Sequence, residues 1–435
     1  MKEKMKLTAL ERYWILYDIG NSAFILLVAT ILPIYFNALA SAAGVSESNY
    51  LAYWGYAGSA ATIIVAFVAP ICGTLADQKG FKKPLYVACV LLGTIGCAAM
   101  SIAWSWFSLL CIYVAAKVGY SASNVFYDSM LTEVTTPQRM DKLSTMGYAF
   151  GYIGSVIPFL LCLAVVLFHD AFGIGQVTGL VISLLITAVW WAVCSLPLTR
   201  AYHQKAFHPA EGNPIRASFR QLAKTFREAK SQKHIFIYLV AFFFFIDGVY
   251  TIIDMATAYG KSLGLDTTGL LLALLVTQIV AFPCSIIFGR LSSRLGTGLL
   301  IKICIGAYTG ITLFAVFLCT QWQFWTLAVL VGMFQGGIQA LSRSYLGKII
   351  PPERSGEYYG LMDICGKGAS FVGMTMVAVV SQLTDGITWH VFGMDVHNTG
   401  LAVGTLVLLF AVGFVLFCKA DRMNKALQAS GNNPA

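Results

Sequence analysis

Twelve apolar runs, each long enough to cross a lipid bilayer as a helix, follow one another along this chain of 435 residues. Apolar residues make up 58% of the sequence and charged residues only 11%, too few to cover the surfaces of water-soluble domains. Backbone polar groups inside hydrocarbon must be bonded within their own segment, so such runs become helices. The sequence therefore predicts an all-α polytopic membrane protein with twelve transmembrane helices.

The basic residues lie almost entirely on one side of this arrangement. The N-terminus, the even-numbered connections and the C-terminus hold all but three of the 29 Lys and Arg residues. The exceptions are Lys261 in an odd-numbered connection, and Lys117 and Lys367 inside spans. Connections rich in Lys and Arg stay in the cytoplasm. We therefore expect both termini to be cytoplasmic, and the net charge of +9 to face the lipid bilayer rather than a nucleic acid.

A short turn between the second and third spans recurs half a chain later. Gly73, Leu75 and Gly80 reappear as Gly289, Leu291 and Gly296, at a common offset of 216 residues. Ser292 and Ser293 replace Ala76 and Asp77 in the second copy. The repeat predicts two related halves. The predicted domains are an N-terminal six-helix bundle (1–198), a basic linker with an amphipathic helix (199–233), a C-terminal six-helix bundle (234–418) and a polar tail (419–435).

The first turn also resembles a known family. Its G-x-L-A-D-x-x-G-x-K-K pattern at 73–83 is similar to the loop between the second and third helices of major facilitator superfamily transporters. Four further strings resemble one branch of that superfamily, which includes the fungal vacuolar amino-acid effluxer (autophagy-related protein 22-like). They are Y-D-x-x-N-S-A at 17–23, G-Y-x-x-G-Y-x-G at 147–154, G-G-x-Q-A-L-S-R-S at 336–344, and E-x-x-G with G-K between 357 and 367.

This resemblance implies the major facilitator fold, with two pseudo-symmetric six-helix bundles. It also implies a secondary transporter that moves an amino acid or a related carboxylate by alternating access, in the direction of efflux. The chain lacks the long loops of the fungal members, which favours a bacterial plasma membrane.

Ionisable residues inside the apolar spans are the candidates for binding and coupling, because a charge in hydrocarbon is costly and must face protein or water. Lysines near the bilayer midplane would attract the carboxylate of a substrate, and aspartates could carry a proton or ligate sodium. Local pairing is the alternative: Lys117 with Asp247 or Asp254, Asp363 with Lys367, and an inner ion network at Asp18 and Asp128. The candidates are Asp18, Asn21, Lys117, Asp128, Asp247, Asp254, Asp363 and Lys367.

A second set of residues is predicted to control conformation at the inner face. Its glycines allow helices to approach closely, and Asp77 is expected to cap the helix that follows it. An arginine at the end of the tenth span is expected to hold that span at the inner interface. The set comprises Gly73, Asp77, Gly80, Lys82, Lys83, Arg290 and Arg343.

No motif for catalysis or cofactor binding accompanies these residues. The sequence has no H-E-x-x-H, G-x-S-x-G or Walker loop, and its 11 cysteines form no C-x-x-C. We therefore expect neither an enzyme nor a metal or cofactor site. Two other functions stay open: export of amphipathic drugs or lipids, and a membrane sensor or scaffold that does not transport.

Overall fold

The computed structural model describes residues 6–45, 47–207, 220–221, 224, 232–384, 389–391, 394–396 and 398–430. Most of the predicted linker helix therefore lies outside the described residues. The first half contains α1 (Ala9–Ala42), α2 (Glu47–Ala76), α3 (Lys82–Ala99), α4 (Trp106–Val134), α5 (Pro137–Leu167) and α6 (Gln176–Ala201). The second contains α7 (Lys233–Ser262), α8 (Thr267–Leu295), α9 (Thr297–Val316), α10 (Gln321–Ile349), α11 (Ser355–Leu383), α12 (Asn398–Gly404) and α13 (Leu406–Ala429).

Each predicted span corresponds to a helix, and the twelfth corresponds to α12 and α13 together. Within the described residues, eleven helices are long and apolar enough to cross a membrane, and α11 adds a shorter apolar segment, Val372–Leu383. Large apolar side chains such as Phe67, Val193 and Val415 remain exposed, as helices facing lipid require. An antiparallel pair of short strands, β1 (Trp389–Val391) and β2 (Met394–Val396), adds a small hairpin to the helical chain.

Local sequence signals fix several helix ends. Thr8 begins α1 with a capping box, in which its hydroxyl accepts from the Glu11 N–H and the Glu11 carboxylate accepts from the Thr8 N–H. Pro137 occupies the first turn of α5, where its missing N–H costs nothing. Gly296 separates α8 from α9 with φ +81°, a conformation that favours glycine.

The chain forms two compact units. Unit 1 contains residues 1–136, 150–222 and 352–360, and unit 2 contains residues 137–149, 223–351 and 361–435. The first three turns of α5 therefore pack within unit 2, and the first turn of α11 packs within unit 1.

Unit 1 packs α1 along α6 and α3 along α4, with an aromatic core between them. The Trp14 ring stacks on Tyr127 with centroids 4.2 Å apart. Gly93 leaves the space that the Trp191 ring fills, because a Cβ at Gly93 would overlap that ring. Close packing of this kind makes unit 1 a fixed support for the polar side chains of α1 and α4.

Unit 2 packs α7 along α13 and α8 along α10. The Phe417 ring lies against Tyr238 and Tyr345, with centroids 6.1 Å and 5.4 Å away. Helix α13 continues to Ala429, eleven residues past the predicted end of the last span at 418. Asp421 explains the extension, because its carboxylate accepts from Lys302 Nζ at 2.6 Å and from Lys425 Nζ at 3.0 Å.

Candidate functional site

The second half of α4 is buried except for one polar face. Between Gly119 and Leu131 every residue of α4 is buried except Tyr120, Asn124 and Asp128, which recur every four residues. Lys117 lies half-buried one turn earlier on the same side. We call Lys117, Tyr120, Asn124 and Asp128 the α4 polar face. A lysine, an amide and a carboxylate are poorly suited to lipid, so this face is expected to meet protein or water.

Helix α1 supports the α4 polar face through hydrogen bonds. Asn21 Nδ2 donates to Asn124 Oδ1 at 2.7 Å, and the Tyr127 hydroxyl donates to Asp18 Oδ2 at 3.0 Å. Asp18 and Asn21 are both buried. These two predicted site residues therefore position α4 against α1, which fixes the direction in which Asn124 points.

The Lys117 ammonium group lies beside an aromatic wall. Its Nζ is 5.9 Å from the centroid of the Tyr113 ring, within the range of a cation–π contact. Tyr113 in turn stacks on Trp54, with centroids 5.0 Å apart and an interplanar angle of 15°. A positive charge and aromatic rings thus lie side by side in unit 1.

The two aspartates of α7 lie in different surroundings. Asp247 is fully buried, and its Oδ1 accepts from the Gly373 backbone N–H at 2.9 Å and from the Thr251 hydroxyl at 3.2 Å. Asp254, two turns further along, is exposed. On α11, Asp363 is half-buried, while the Lys367 side chain lies outside the described residues. The pairing of Asp363 with Lys367 therefore stays a prediction.

Asp77 caps a helix, although not the helix that was expected. Its Oδ1 accepts from the Gly356 N–H and its Oδ2 from the Glu357 N–H, both at 2.8 Å, at the first turn of α11. The N-cap position of α3 is Phe81, which makes no side-chain capping bond. The prediction that Asp77 caps the following helix is therefore wrong. The fold brings α11 to the turn, and the unpaired N–H groups of its first turn bind the carboxylate.

Buried partners surround Asp77. Lys82 is 0% exposed, and its Nζ lies 2.7 Å from Glu133 Oε1, 3.0 Å from the Ser355 hydroxyl and 3.8 Å from Asp77 Oδ1. Burial raises the pKa of Asp77 to about 7, against the opposing effects of Lys82 and the two N–H donors. We call Asp77, Lys82, Glu133 and Ser355 the unit 1 ionic cluster. It ties the ends of α2 and α4 to the beginnings of α3 and α11.

Glu133 has the most partners in this cluster. Besides Lys82 it accepts from the Tyr202 hydroxyl at 2.9 Å and from the Lys205 backbone N–H at 2.6 Å. Burial, followed by the negative charge of Glu133, raises the pKa of Tyr202. The carboxylate therefore also holds the chain that leaves α6.

The remaining turn residues have backbone roles. Gly73 crosses Gly356 so closely that a Cβ at Gly73 would overlap the Gly356 carbonyl oxygen. Gly80 has φ +82°, and its N–H donates to Gln204 Oε1 at 3.0 Å. Lys83 Nζ donates to the Arg200 carbonyl oxygen at 3.0 Å, at the end of α6. The turn thus needs glycine for both its close crossing and its backbone conformation.

Unit 2 has an ionic cluster of its own, centred on Asp141. This carboxylate accepts from Lys348 Nζ and the Ser344 hydroxyl through Oδ1 and from the Thr297 hydroxyl through Oδ2, each at 2.6 Å. We call Asp141, Thr297, Ser344 and Lys348 the unit 2 ionic cluster. It joins the first turn of α5 to α9 and α10.

Arg343 lies beside this cluster and is buried. Its Nε and Nη2 donate to the Ser144 hydroxyl and carbonyl oxygen at 2.9 Å and 3.0 Å, and its guanidinium group stacks 4.4 Å from the Tyr148 ring centroid. Arg290, by contrast, is exposed, and its side chain has no hydrogen bond or ion pair with the residues that the structure describes. Of these two arginines, Arg343 is thus the one that lies among buried partners.

Sequence reasoning missed the acidic residues at the centres of these clusters. Glu133 and Asp141 lie at the end of one apolar run and the start of the next. Their acidic side chains in an otherwise basic connection were the signal that could have identified them. Their lysine partners lie far away in sequence, so no local spacing indicated the pairs.

Comparison with known proteins gives the relationships of the chain. Residues 10–429 match the family described as "Vacuole effluxer Atg22 like". A Bacillus subtilis protein named "Uncharacterized MFS-type transporter YxiO" is 38% identical over 416 residues, covering 94% of each chain. Autophagy-related protein 22-2 of Aspergillus clavatus is 26% identical over 272 residues, which is 55% of this chain and 43% of the fungal protein.

Solved structures agree with the fold. A bacterial homologue of the iron transporter ferroportin in its outward-facing state has a TM-score of 0.70 at 15% identity, covering 95% of this chain and 98% of that one. The proton:xylose symporter XylE also has a TM-score of 0.70, at 12% identity and coverages of 94% and 95%. These likenesses confirm the predicted major facilitator fold.

Proposed function

We propose that this chain, which belongs to the Atg22-like family of major facilitator transporters, exports a small organic solute with a carboxylate group. The α4 polar face carries this proposal, because it is a polar, accessible stripe on a stretch of α4, Gly119 to Leu131, that is otherwise buried. Transporters of this architecture bind their substrates near the bilayer midplane and rock around the site. An amino acid or related carboxylate fits both this face and the family resemblance.

Lys117 is the proposed anchor for the carboxylate. Its half-buried position on α4 lets a substrate reach the ammonium group, and the partly apolar surroundings strengthen the attraction. Tyr113 and Trp54 then offer an aromatic surface to the rest of the solute. The bond between Asn21 and Asn124 keeps the same face rigid, which lowers the cost of ordering the site on binding.

The two ionic clusters are the proposed gate. Asp77 holds the first turn of α11 in unit 1, and Asp141 holds the first turn of α5 against α9 and α10 in unit 2. Releasing either carboxylate would free the start of a long helix. The distribution of Lys and Arg supports a cytoplasmic position for these clusters and for both termini, in a bacterial plasma membrane.

Counterflow in proteoliposomes tests the proposal. Vesicles containing purified protein and loaded with one unlabelled amino acid are diluted into the same radiolabelled compound, for a panel of amino acids, organic acids and their uncharged amides. We expect exchange of at least one carboxylate, a loss of at least tenfold in Lys117→Gln, and partial retention in Lys117→Arg. Lys419→Gln is the matched control and should exchange like the original protein.

Three outcomes contradict the proposal. Exchange that is equal for a carboxylate and its amide would exclude charge recognition by Lys117. Exchange of amphipathic dyes alone would indicate a drug or lipid exporter, and binding without any flux would indicate a sensor or scaffold.

A further inference from the structure

Asp247 on α7 is a fully buried acidic side chain, and its surroundings do not suit a charge. Its exposed fraction is 0%, and Oδ2 has no hydrogen-bond partner among the residues that the structure describes. It forms no ion pair with any described residue. By contrast, Asp77, Glu133 and Asp141 each have a lysine within 4 Å.

The two contacts of Asp247 both involve one oxygen. Oδ1 accepts from the Gly373 N–H at 2.9 Å and from the Thr251 hydroxyl at 3.2 Å. The backbone approaches closely here, since a Cβ at Gly373 would lie 2.5 Å from Oδ1. Helix α11 is therefore packed directly on the carboxyl group, and Oδ2 is enclosed on the other side.

Charged groups elsewhere on the packed elements lie at a distance along their helices. Asp254 is seven residues away on α7, roughly 10 Å along the axis, and it is exposed. On α11, Asp363 and Lys367 precede Gly373 by ten and six residues, roughly 15 Å and 9 Å. On α13 the ring of Phe410 packs against Gly248, next to Asp247, and the charged residues of α13 begin at Lys419.

An ionised carboxylate that is enclosed without a cation loses its hydration with nothing to replace it, and such groups bind a proton instead. We propose that the Asp247 carboxyl group is a proton-binding site, with the proton on Oδ2 while Oδ1 holds the backbone of α11 at Gly373. Proton binding at Asp247 does not depend on the proposed function. The role of this proton as the coupling ion of transport does rest on it.

Proton release has a structural consequence for α11. Breaking the Oδ2–H bond leaves a carboxylate and passes the proton to water, so release requires that water reach the site. The charged group must then gain donors that the closed packing of α7 and α11 does not supply. Opening of this contact and loss of the proton are therefore linked, and each promotes the other.

Infrared spectroscopy of the purified, membrane-reconstituted protein tests this site without any solute. A protonated carboxyl group shows a carbonyl stretch that disappears on ionisation and shifts in heavy water. We expect a band of this kind at neutral pH that is lost in Asp247→Asn. Asp254→Asn, which changes an exposed aspartate on the same helix, should keep it.

A second pair of variants keeps the proposal testable if Asp247→Asn does not fold. Thr251→Val removes one donor to Oδ1 and should shift the frequency of the band, whereas Thr251→Ser retains the hydroxyl and should leave it in place. Absence of any band that depends on Asp247 or Thr251 would overturn the proposal. A band that disappears on adding sodium at constant pH would also overturn it and assign a sodium site. Failure of counterflow with this band present would reject the transport proposal alone.

Discussion

The two copies of the glycine turn meet the same backbone requirement with different ionic partners. Gly80 and Gly296 have nearly equal φ angles, +82° and +81°. Gly73 and Gly289 each lie where a helix crosses so closely that a Cβ would overlap its neighbour. The carboxylate, however, comes from the turn itself in unit 1, as Asp77, and from the first turn of α5 in unit 2, as Asp141.

The difference extends to the lysine partners. Lys82 is 0% exposed, whereas the Lys348 side chain is 24% exposed. The glycines that fix the helix crossing and the backbone conformation are therefore shared by the two turns. The charged residues around them differ. Because water reaches Lys348 but not Lys82, loss of a partner should cost more in unit 1 than in unit 2.

The largest effect is expected for Lys82→Met. Removing the ammonium group leaves Glu133 and Asp77 buried without a cation, which should lower the free energy of unfolding by about 3–5 kcal/mol. Denaturant titration in mixed micelles measures this change. Lys83→Met is the matched control. Among the described residues, the Lys83 ammonium group bonds only to the end of α6, so this substitution should cost less than about 1 kcal/mol. Equal losses in the two variants would contradict the buried cluster.

Asp141→Ala should have a smaller effect, about 2–3 kcal/mol, because it removes the shared acceptor of three donors but Lys348 can be hydrated. The same titration measures it. Ser293→Ala, at the position equivalent to Asp77, should change stability by less than about 0.5 kcal/mol, since Ser293 is exposed. A large effect at Ser293 would mean that the second turn retains an ionic role.

Gly73→Ala and Gly289→Ala compare the two crossings directly. The added methyl group meets a backbone carbonyl oxygen at Gly356 in the first case and the Thr145 hydroxyl in the second. Since a side chain can rotate and a helix backbone cannot, we expect a loss of about 1–2 kcal/mol for Gly73→Ala and less for Gly289→Ala. Thermal unfolding of both variants checks the order, and the reverse order would show that α5 is the less adaptable neighbour.

The smallest effect is expected from pH. Folding raises the pKa of Asp77 to about 7, so the folded protein holds this proton more tightly than the unfolded chain, in which the pKa of an aspartate is about 3.9. The stability that this proton contributes is thus lost as pH rises through 7, by about 1 kcal/mol between pH 6 and pH 8. The Tm difference between the original protein and Asp77→Asn should fall over that range; a rising difference would contradict the raised pKa.

The fold was predictable because lipid leaves a chain few choices. Long apolar runs must become helices, and each predicted span lies on a described helix or, for the twelfth span, on two. The role of Gly80 was also predictable, because it is a glycine in a short turn and its positive φ angle favours glycine.

The ionic clusters were not predictable in the same way. Asp77 and Glu357 lie 280 residues apart, and Asp141 and Ser344 lie 203 residues apart, so their meeting depends on the packed bundle rather than on local spacing. The sequence did not predict the extension of α13 past residue 418, for a related reason. Its polar sequence after 418 reads as a tail until Asp421 is seen beside Lys302 on another helix.

That extension limits how the C-terminus can be altered. A truncation at the apparent membrane boundary, after residue 418, would delete Asp421 and strip Lys302 of its carboxylate. A fluorescent protein or affinity tag fused after Ala429 would instead leave this ion pair intact and project from a helical stem. The last eleven helical residues should therefore be preserved in any truncated or tagged version.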